Sequence, residues 1–293
     1  MDRSTSHSAF TSDTFSITMP WGAELRYPVR CAMSRAFALP LLVTAFAWPA
    51  LAANAPPIFL WVAPTGNDTN SCLSAAAPCG TIQGAIDKVP YGTRGIVNLL
   101  PGHYPGGVNI VGYLHNFIGI YGPYDSNVQC VDPAQVVIDA PGAVAFWIQD
   151  HASTQFGCLS ISAASVGFSG RQFSIIDFSD IVFGQVGVSI SATDRTMASC
   201  TGGVWVTGSG FYFATAYRSD LNIGCNIKIA AGVTFVAFFG AFRQSTIETA
   251  SATFSGNIFG QKWYISNSEI GPTCSVPGTG VTQTNFAVAP LGC

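Results

Sequence analysis

The sequence predicts an all-β fold: a parallel β-helix, in which short strands wind into a solenoid. Three observations predict it. Only 9% of the 293 residues are charged, against about 25% in an average soluble domain. Glycine, serine, threonine and β-branched residues are plentiful, a composition of strands and tight turns. A strand pattern also returns at steps of 22, 23, 23 and 25 residues.

The same composition excludes other classes. Lys, Glu, Arg and Asp furnish most exposed helix faces, so their scarcity argues against a helix-rich chain. Twenty-one Phe, nine Tyr and six Trp give too much apolar surface for a disordered one. No apolar run reaches the roughly 18–20 residues of a membrane-spanning helix, so no membrane insertion is expected. A net charge of −3 lacks the basic stripe of a nucleic-acid binder, and no nucleic-acid partner is expected.

The chain opens on a processing region. Residues 34–52, SRAFALPLLVTAFAWPALA, place Arg35 before a short apolar core and end on Ala50-Leu51-Ala52. This is the pattern of a secretory signal cleaved after Ala52. Residues 1–32 are polar and patternless, and Met33 is placed where a signal of ordinary length would begin. Residues 1–52 are therefore set apart from the fold, and a secreted, periplasmic or cell-surface location is expected.

The cysteines agree with export. Beyond Cys31, eight remain: Cys72, Cys79, Cys130, Cys158, Cys200, Cys225, Cys274 and Cys293. An even number in an exported chain suggests disulfides. Cys72 and Cys79 flank one short loop and make the safest pair. The others can pair along the chain as 130–158, 200–225 and 274–293, or remain buried thiols. No Cys-x-x-Cys occurs and His is rare, so no metal centre is expected.

The repeat begins after Gly95. Leu159-Ser-Ile161, Ile181-Val-Phe183, Val204-Trp-Val206, Ile227-Lys-Ile229 and Ala252-Thr-Phe254 recur as short alternating strands. A second set, Val188-Ser-Ile190, Phe211-Tyr-Phe213 and Val236-Ala-Phe238, falls between them. Periods of 20–50 residues mean stacked repeats, each unable to bury its inner face alone. Stacking also explains the scarcity of charge. Rungs lie about 4.8 Å apart, so like charges in one column repel while Ser, Thr, Asn and Gly do not.

Residues 58–95 read differently, as an N-terminal cap ahead of rungs at 96–278 and a tail at 279–293. Thr81 can N-cap a helical stretch with Ile82, Ala85, Ile86 and Val89 on one face. Such a helix would close the open end of a solenoid. Here Val62-Ala63-Pro64-Thr65-Gly66-Asn67-Asp68, then Pro78-Cys79-Gly80-Thr81-Ile82-Gln83-Gly84-Ala85-Ile86, then Val97-Asn98-Leu99-Leu100-Pro101-Gly102-His103-Tyr104 resemble the start of bacterial exported right-handed parallel β-helix proteins of the pectin-lyase-like superfamily. The motif resemblance covers about residues 58–142, and the rest follows by period. It implies a right-handed winding. It also implies a range of activities: polysaccharide lyases, glycoside hydrolases, esterases, epimerases and non-catalytic adhesins.

The residues narrow that range little. The Asn-Thr-Asp, Asp-Asp, Gly-His-Gly and Arg-Ile-Lys motifs of the hydrolases are absent. Asp177 with Asp180, or Asp194 with Asp220, could offer a carboxylate pair at hydrolase spacing, or could be turn residues bonded to nearby backbone. Lyases of this type use a Lys or Arg base and usually Ca²⁺, but the twelve acidic residues after Ala52 are dispersed and give no support for a Ca²⁺ site. No cofactor is expected. His103, His115 and His151 fall in turns and read as surface residues.

One constellation stands out. Arg195, Arg218 and Arg243 each lie nine residues before the first residue of a repeat strand, and Arg171 lies ten before. These four are half of the eight Lys and Arg after Ala52. Their parity against the inward residues places them outside. Like charges one rung apart repel unless something neutralises them. Two readings follow: Asp194 and Asp220 pair with Arg195 and Arg218 as surface bridges, or an acidic polysaccharide lies along the column. Tyr217 and Phe242 precede two of the Arg and could stack on sugar or simply pack. On the second reading Arg171, Arg195, Arg218, Arg243 and Tyr217 bind substrate, and Arg218 is the central clamp or the base of a lyase. The alternative function is a non-catalytic surface or adhesion protein built on a rigid, disulfide-braced spacer.

Overall fold

The computed structural model describes residues 56–112, 116–271 and 276–279, with the backbone of the short strands Ser16–Thr18, Glu24–Arg26 and Val281–Thr284. The chain divides into two units, Met1–Leu51 and Ala52–Cys293. In the first, Ser16–Thr18 pairs antiparallel with Glu24–Arg26, a pairing the sequence pattern did not suggest. The signal segment 34–52, Met33, Cys31, His115, Cys274 and Cys293 lie outside the described residues.

The second unit is an all-β parallel solenoid of about eight turns with almost no helix. Successive turns begin at Arg94, Phe117, Ser153, Ile175, Met197, Asp220 and Thr246. Each runs along three faces. Face A and face B belong to one 13-stranded sheet bent at a corner, and face C is a separate 8-stranded sheet. In one turn, Ile175–Phe183 supplies faces A and B and Val188–Thr193 supplies face C. The strands of successive turns pair in parallel, as Ser153↔Ile175↔Met197↔Asp220 on face A illustrates. The recurring strands read from the sequence form face B, where Leu159, Ile181, Val204 and Ile227 stack in register.

Two details of register differ from the expectation. Ile227 pairs with Phe254, not with Ala252, because the turn after Thr246–Glu248 is longer than its neighbours. On face C, Val188 stacks on Tyr212, and Phe211 and Val236 are exposed at 63% and 57%. Phe211 follows the Gly208-Ser209-Gly210 turn and lies just before its strand begins. Strands also extend to both ends of the unit. Ile58–Val62 pairs with Arg94–Leu99 on face A, and Val281–Thr284 pairs with Trp263–Ser266 on face C.

The inner column is aromatic. Phe146, Phe156, Phe168, Phe178, Phe183, Phe213, Phe238 and Phe239 are fully buried, and neighbouring rings touch at centroid distances of 4.5–6.4 Å. An irregularity of register between Thr234 and Ala237 lets the consecutive Phe238 and Phe239 both turn inward. One helix, α1 (Ile82–Ile86), packs against the strands Ile58–Val62, Arg94–Leu99 and Val108–Val111. Thr81 caps it by accepting the Gly84 N–H. Asp68 ties the cap in place, accepting the N–H groups of Gly80 and Thr81 and the Thr81 hydroxyl. Burial pushes the Asp68 carboxyl up, but these hydrogen bonds and the charge of Lys88 outweigh it, and it is held below its ordinary value.

Among the described residues three disulfides form: Cys72–Cys79, Cys130–Cys158 and Cys200–Cys225. They suit an oxidising compartment. Among the described residues no helix is long and apolar enough to cross a membrane.

Candidate functional site

The corner between face C and face A positions the arginines. Its residues take positive φ turn after turn: Asp150, His151, Gln172, Phe173, Asp194, Arg195, Arg218, Arg243, Gln244 and Asn267. The left-handed region costs most side chains about 1–2 kcal/mol. The hydrogen-bond ladder offsets that cost by continuing through the corner. Phe173, Asp194, Arg195, Arg218 and Arg243 donate their N–H groups to the carbonyls of Asp194, Tyr217, Arg218, Phe242 and Ser266.

One residue further on, the chain turns inward onto a buried column of hydroxyls, Ser174, Thr196, Ser219, Ser245 and Ser268. The Ser174 and Thr196 oxygens are 3.1 Å apart. Then the backbone N–H groups of Thr196, Ser219 and Ser245 donate to the next hydroxyl along at 3.2, 3.3 and 3.2 Å. The corner is thus fixed from inside, which leaves the outward side chains free for other tasks.

Those side chains are the four arginines, all exposed. Each lies over an aromatic ring. Arg171 sits 4.4 Å from the Trp147 centroid, and Arg195 sits 5.2 Å from Phe173. Tyr217 holds two, Arg218 at 5.8 Å and Arg243 at 5.0 Å. His151 stacks on the other neighbour, Phe173, with planes 3° apart. Phe242 packs on Tyr264 and Tyr212.

The surface bridges Asp194–Arg195 and Asp220–Arg218 do not form. Among the described residues the only basic side chain within 4 Å of a carboxylate is His103, hydrogen-bonded to Asp139 at 2.7 Å. The arginine side chains lie along ring faces instead, a contact that holds a guanidinium without using its hydrogen-bond fork. Face C aligns Tyr217 with Phe242, so Arg218 and Arg243 do occupy one position. Gly170 aligns with Ala192, which puts Phe173 opposite Arg195, so Arg171 falls two residues earlier in the corner than Arg195.

Face A holds two clefts that sequence reasoning missed. The first, about 720 Å³, is lined by Trp61, Asn98, Tyr121, Tyr124, Gln155 and Asp180, among others. Its wall is a long excursion: 36 residues separate the starts of the Phe117 and Ser153 turns, against 22 for the next. The Cys130–Cys158 disulfide pins this loop to the next rung. The second cleft, about 620 Å³, runs on along face A past Asp177, Ser199, Asp220, Asn222 and Glu248, with Ile175 and Met197 at its side.

The tyrosines of the first cleft rest on glycine. A Cβ at Gly119 would meet the Tyr121 ring at 2.6 Å, and one at Gly157 would meet the Tyr124 hydroxyl at 2.2 Å. The rings stand edge to face, 6.1 Å apart. Tyr121 donates to the Gln155 amide oxygen at 2.7 Å. Burial, with Tyr124 and Asp177 nearby and Arg94 opposing, pushes the Tyr121 hydroxyl up to about 12. Burial likewise raises Tyr124, against a hydrogen bond with Ser179.

The paired carboxylates read from the sequence are not brought into one cleft. Asp177 accepts the Ser199 hydroxyl and lines the second cleft. Asp180 occupies the corner between faces A and B at φ 55°, accepts the Gly203 N–H and lines the first. Among the described residues no group of three or more His, Cys, Asp or Glu is gathered to hold a metal ion.

No protein-family model matches the sequence, and no curated protein matches it. Two solved structures align with the chain at a distance. YbhC of Escherichia coli aligns over 90% of this chain and 79% of its own, with 13% identity and a TM-score of 0.43. A pectin methyl esterase of rice weevil aligns over 78% of this chain and 83% of its own, with 14% identity and a TM-score of 0.40. Likenesses this distant say nothing about the chemistry of either region described above.

Proposed function

We propose that this chain is an exported carbohydrate-binding β-helix protein that holds an acidic polysaccharide along the corner between faces C and A. The observation that carries this reading is the state of the four arginines. Each lies over an aromatic ring, and none is within ion-pair distance of a carboxylate of the described chain. Four guanidiniums on successive turns, with their forks unused, match a polymer that presents a carboxylate at each step. Arg218 and Arg243 share Tyr217 at one end of the strip, and Arg195 and Arg171 continue it on the two preceding turns.

Each exposed contact is worth only about 0.2–1 kcal/mol. Affinity must therefore come from several contacts on one polymer, and it must fall with salt. The signal-like segment 34–52 and the three disulfides support an extracellular setting. The resemblance to pectin-lyase-like proteins extends the reading to lyase chemistry, with Arg218 as the base.

The test is titration of the full chain with polygalacturonate and alginate, with and without Ca²⁺, while following the absorbance of unsaturated ends. The expected result is salt-sensitive binding that Arg218→Ala weakens about two- to fivefold. Release of unsaturated ends, lost in the same variant, would extend the reading to a lyase. Absence of binding to every uronate would overturn it and leave the spacer reading.

A further inference from the structure

The first cleft on face A shares no lining residue with the arginine corner. Its lining holds no Lys or Arg and one carboxylate, Asp180, whereas Asp177, Asp220 and Glu248 line the second cleft. Nothing in that first lining can pair with the carboxylates of a polyuronate. We propose that the first cleft is a second binding site, for neutral pyranose units of a glycan, with Tyr121 and Trp61 as stacking platforms.

Three independent features point to this ligand. The first is the floor. Gly119 and Gly157 leave room for Tyr121 and Tyr124 to lie on the sheet where any Cβ would meet them. The rings are therefore part of the cleft wall and are set before a ligand arrives, which lowers the ordering cost of binding.

The second is register. Trp61, Asn98 and Tyr121 face outward in one column of face A on consecutive strands. Strand spacing places Trp61 and Tyr121 about 9.6 Å apart along the axis, with the Asn98 amide between them. Two aromatic faces with an amide between can grip alternate rings of one oligosaccharide. The apolar face of a pyranose meets the ring, and its hydroxyls meet the amide.

The third is the polar complement. Asn98, Gln135, Gln155, Ser179 and Asp180 offer donors and acceptors around the rings, and Gln155 is exposed with its amide oxygen already oriented by the Tyr121 hydroxyl. A cleft of aromatic faces with a few convergent amides and one carboxylate suits a neutral, hydroxyl-rich ligand. It does not suit a phosphate, which needs cations.

The inference does not depend on the arginine corner. It is tested on the full chain with cellohexaose, xylohexaose and galactohexaose as probes, read by quenching of intrinsic fluorescence and by saturation-transfer NMR. At least one of the three is expected to bind. Tyr121→Ala should weaken it about tenfold or more, and Tyr121→Phe, which keeps the ring, should stay within about threefold of the parent. Gln155→Ala alters an exposed side chain, leaves the fold in place, and should weaken binding severalfold. If no neutral oligosaccharide binds, or if Gln155→Ala and Tyr121→Ala both bind as the parent does, the inference is wrong.

Discussion

The arginine corner and the face A cleft are built on the same backbone repeat, yet they obtain their chemistry in opposite ways. At the corner, a left-handed turn recurs on each rung and an inner hydroxyl ladder fixes it, so the outward positions repeat and accumulate like charges. On face A the useful residues do not repeat. Tyr121 and Tyr124 rest on Gly119 and Gly157 beside a loop excursion found at one turn. On the proposed reading, repetition makes a strip for a repeating polymer, whereas interruption makes a cleft for a few sugar units.

The two regions share one core, and the largest expected effect tests that. Phe168 is fully buried and touches Phe146, Phe156, Phe178 and Phe183. Phe168→Ala should cost about 3–5 kcal/mol in chemical denaturation and weaken both binding activities together. Loss of one alone would show that the regions are not supported by a common core.

The Cys130–Cys158 bridge should separate them. Replacing both cysteines by serine releases the loop that walls the cleft. Loop-closure entropy for this separation of 28 residues suggests a loss of about 3–4 kcal/mol. Neutral-sugar binding should fall while polygalacturonate binding persists under conditions where the variant remains folded. Equal loss of both would erase the distinction.

The converse variant is Arg195→Ala with Arg218→Ala and Arg243→Ala. These side chains are exposed, so the thermal midpoint should hardly change, with a stability effect within about 0.5 kcal/mol. Polygalacturonate affinity should fall about 3- to 150-fold at low salt if three contacts of about 0.2–1 kcal/mol are lost.

A smaller effect belongs to neither region. Asp68 has a lowered carboxyl pKa in the folded state. Its contribution is therefore present above the unfolded value near 3.9 and is lost as pH falls through the folded value. Asp68→Asn should flatten that part of an acid-stability curve without changing either binding activity at neutral pH.

Much of this was legible because solenoids repeat. The period reported face B, Thr81 reported the cap of α1, and local spacing reported Cys72–Cys79. The pairs 130–158 and 200–225 were open alternatives until the rungs were stacked. The arginines were visible as a column, but their partners were not. Trp147 reaches Arg171, and Phe173 reaches Arg195, across rungs, and those contacts need a register exact to one residue. Small differences in turn length blur that register, as Ala252 and Phe254 illustrate. The cleft was invisible for a different reason: it depends on a departure from the period. The segment 122–135 carries no repeat signal, and nothing in sequence links Gly157 to the tyrosines it accommodates.

The most direct test is a crossed titration. The triple arginine variant and Tyr121→Ala are each titrated with polygalacturonate and with the neutral hexasaccharide that binds the parent. Two separate sites predict that each variant loses its own ligand and keeps the other. If both variants lose the same ligand, or if saturating polygalacturonate blocks the neutral sugar, the chain has one binding region and the account of two is contradicted.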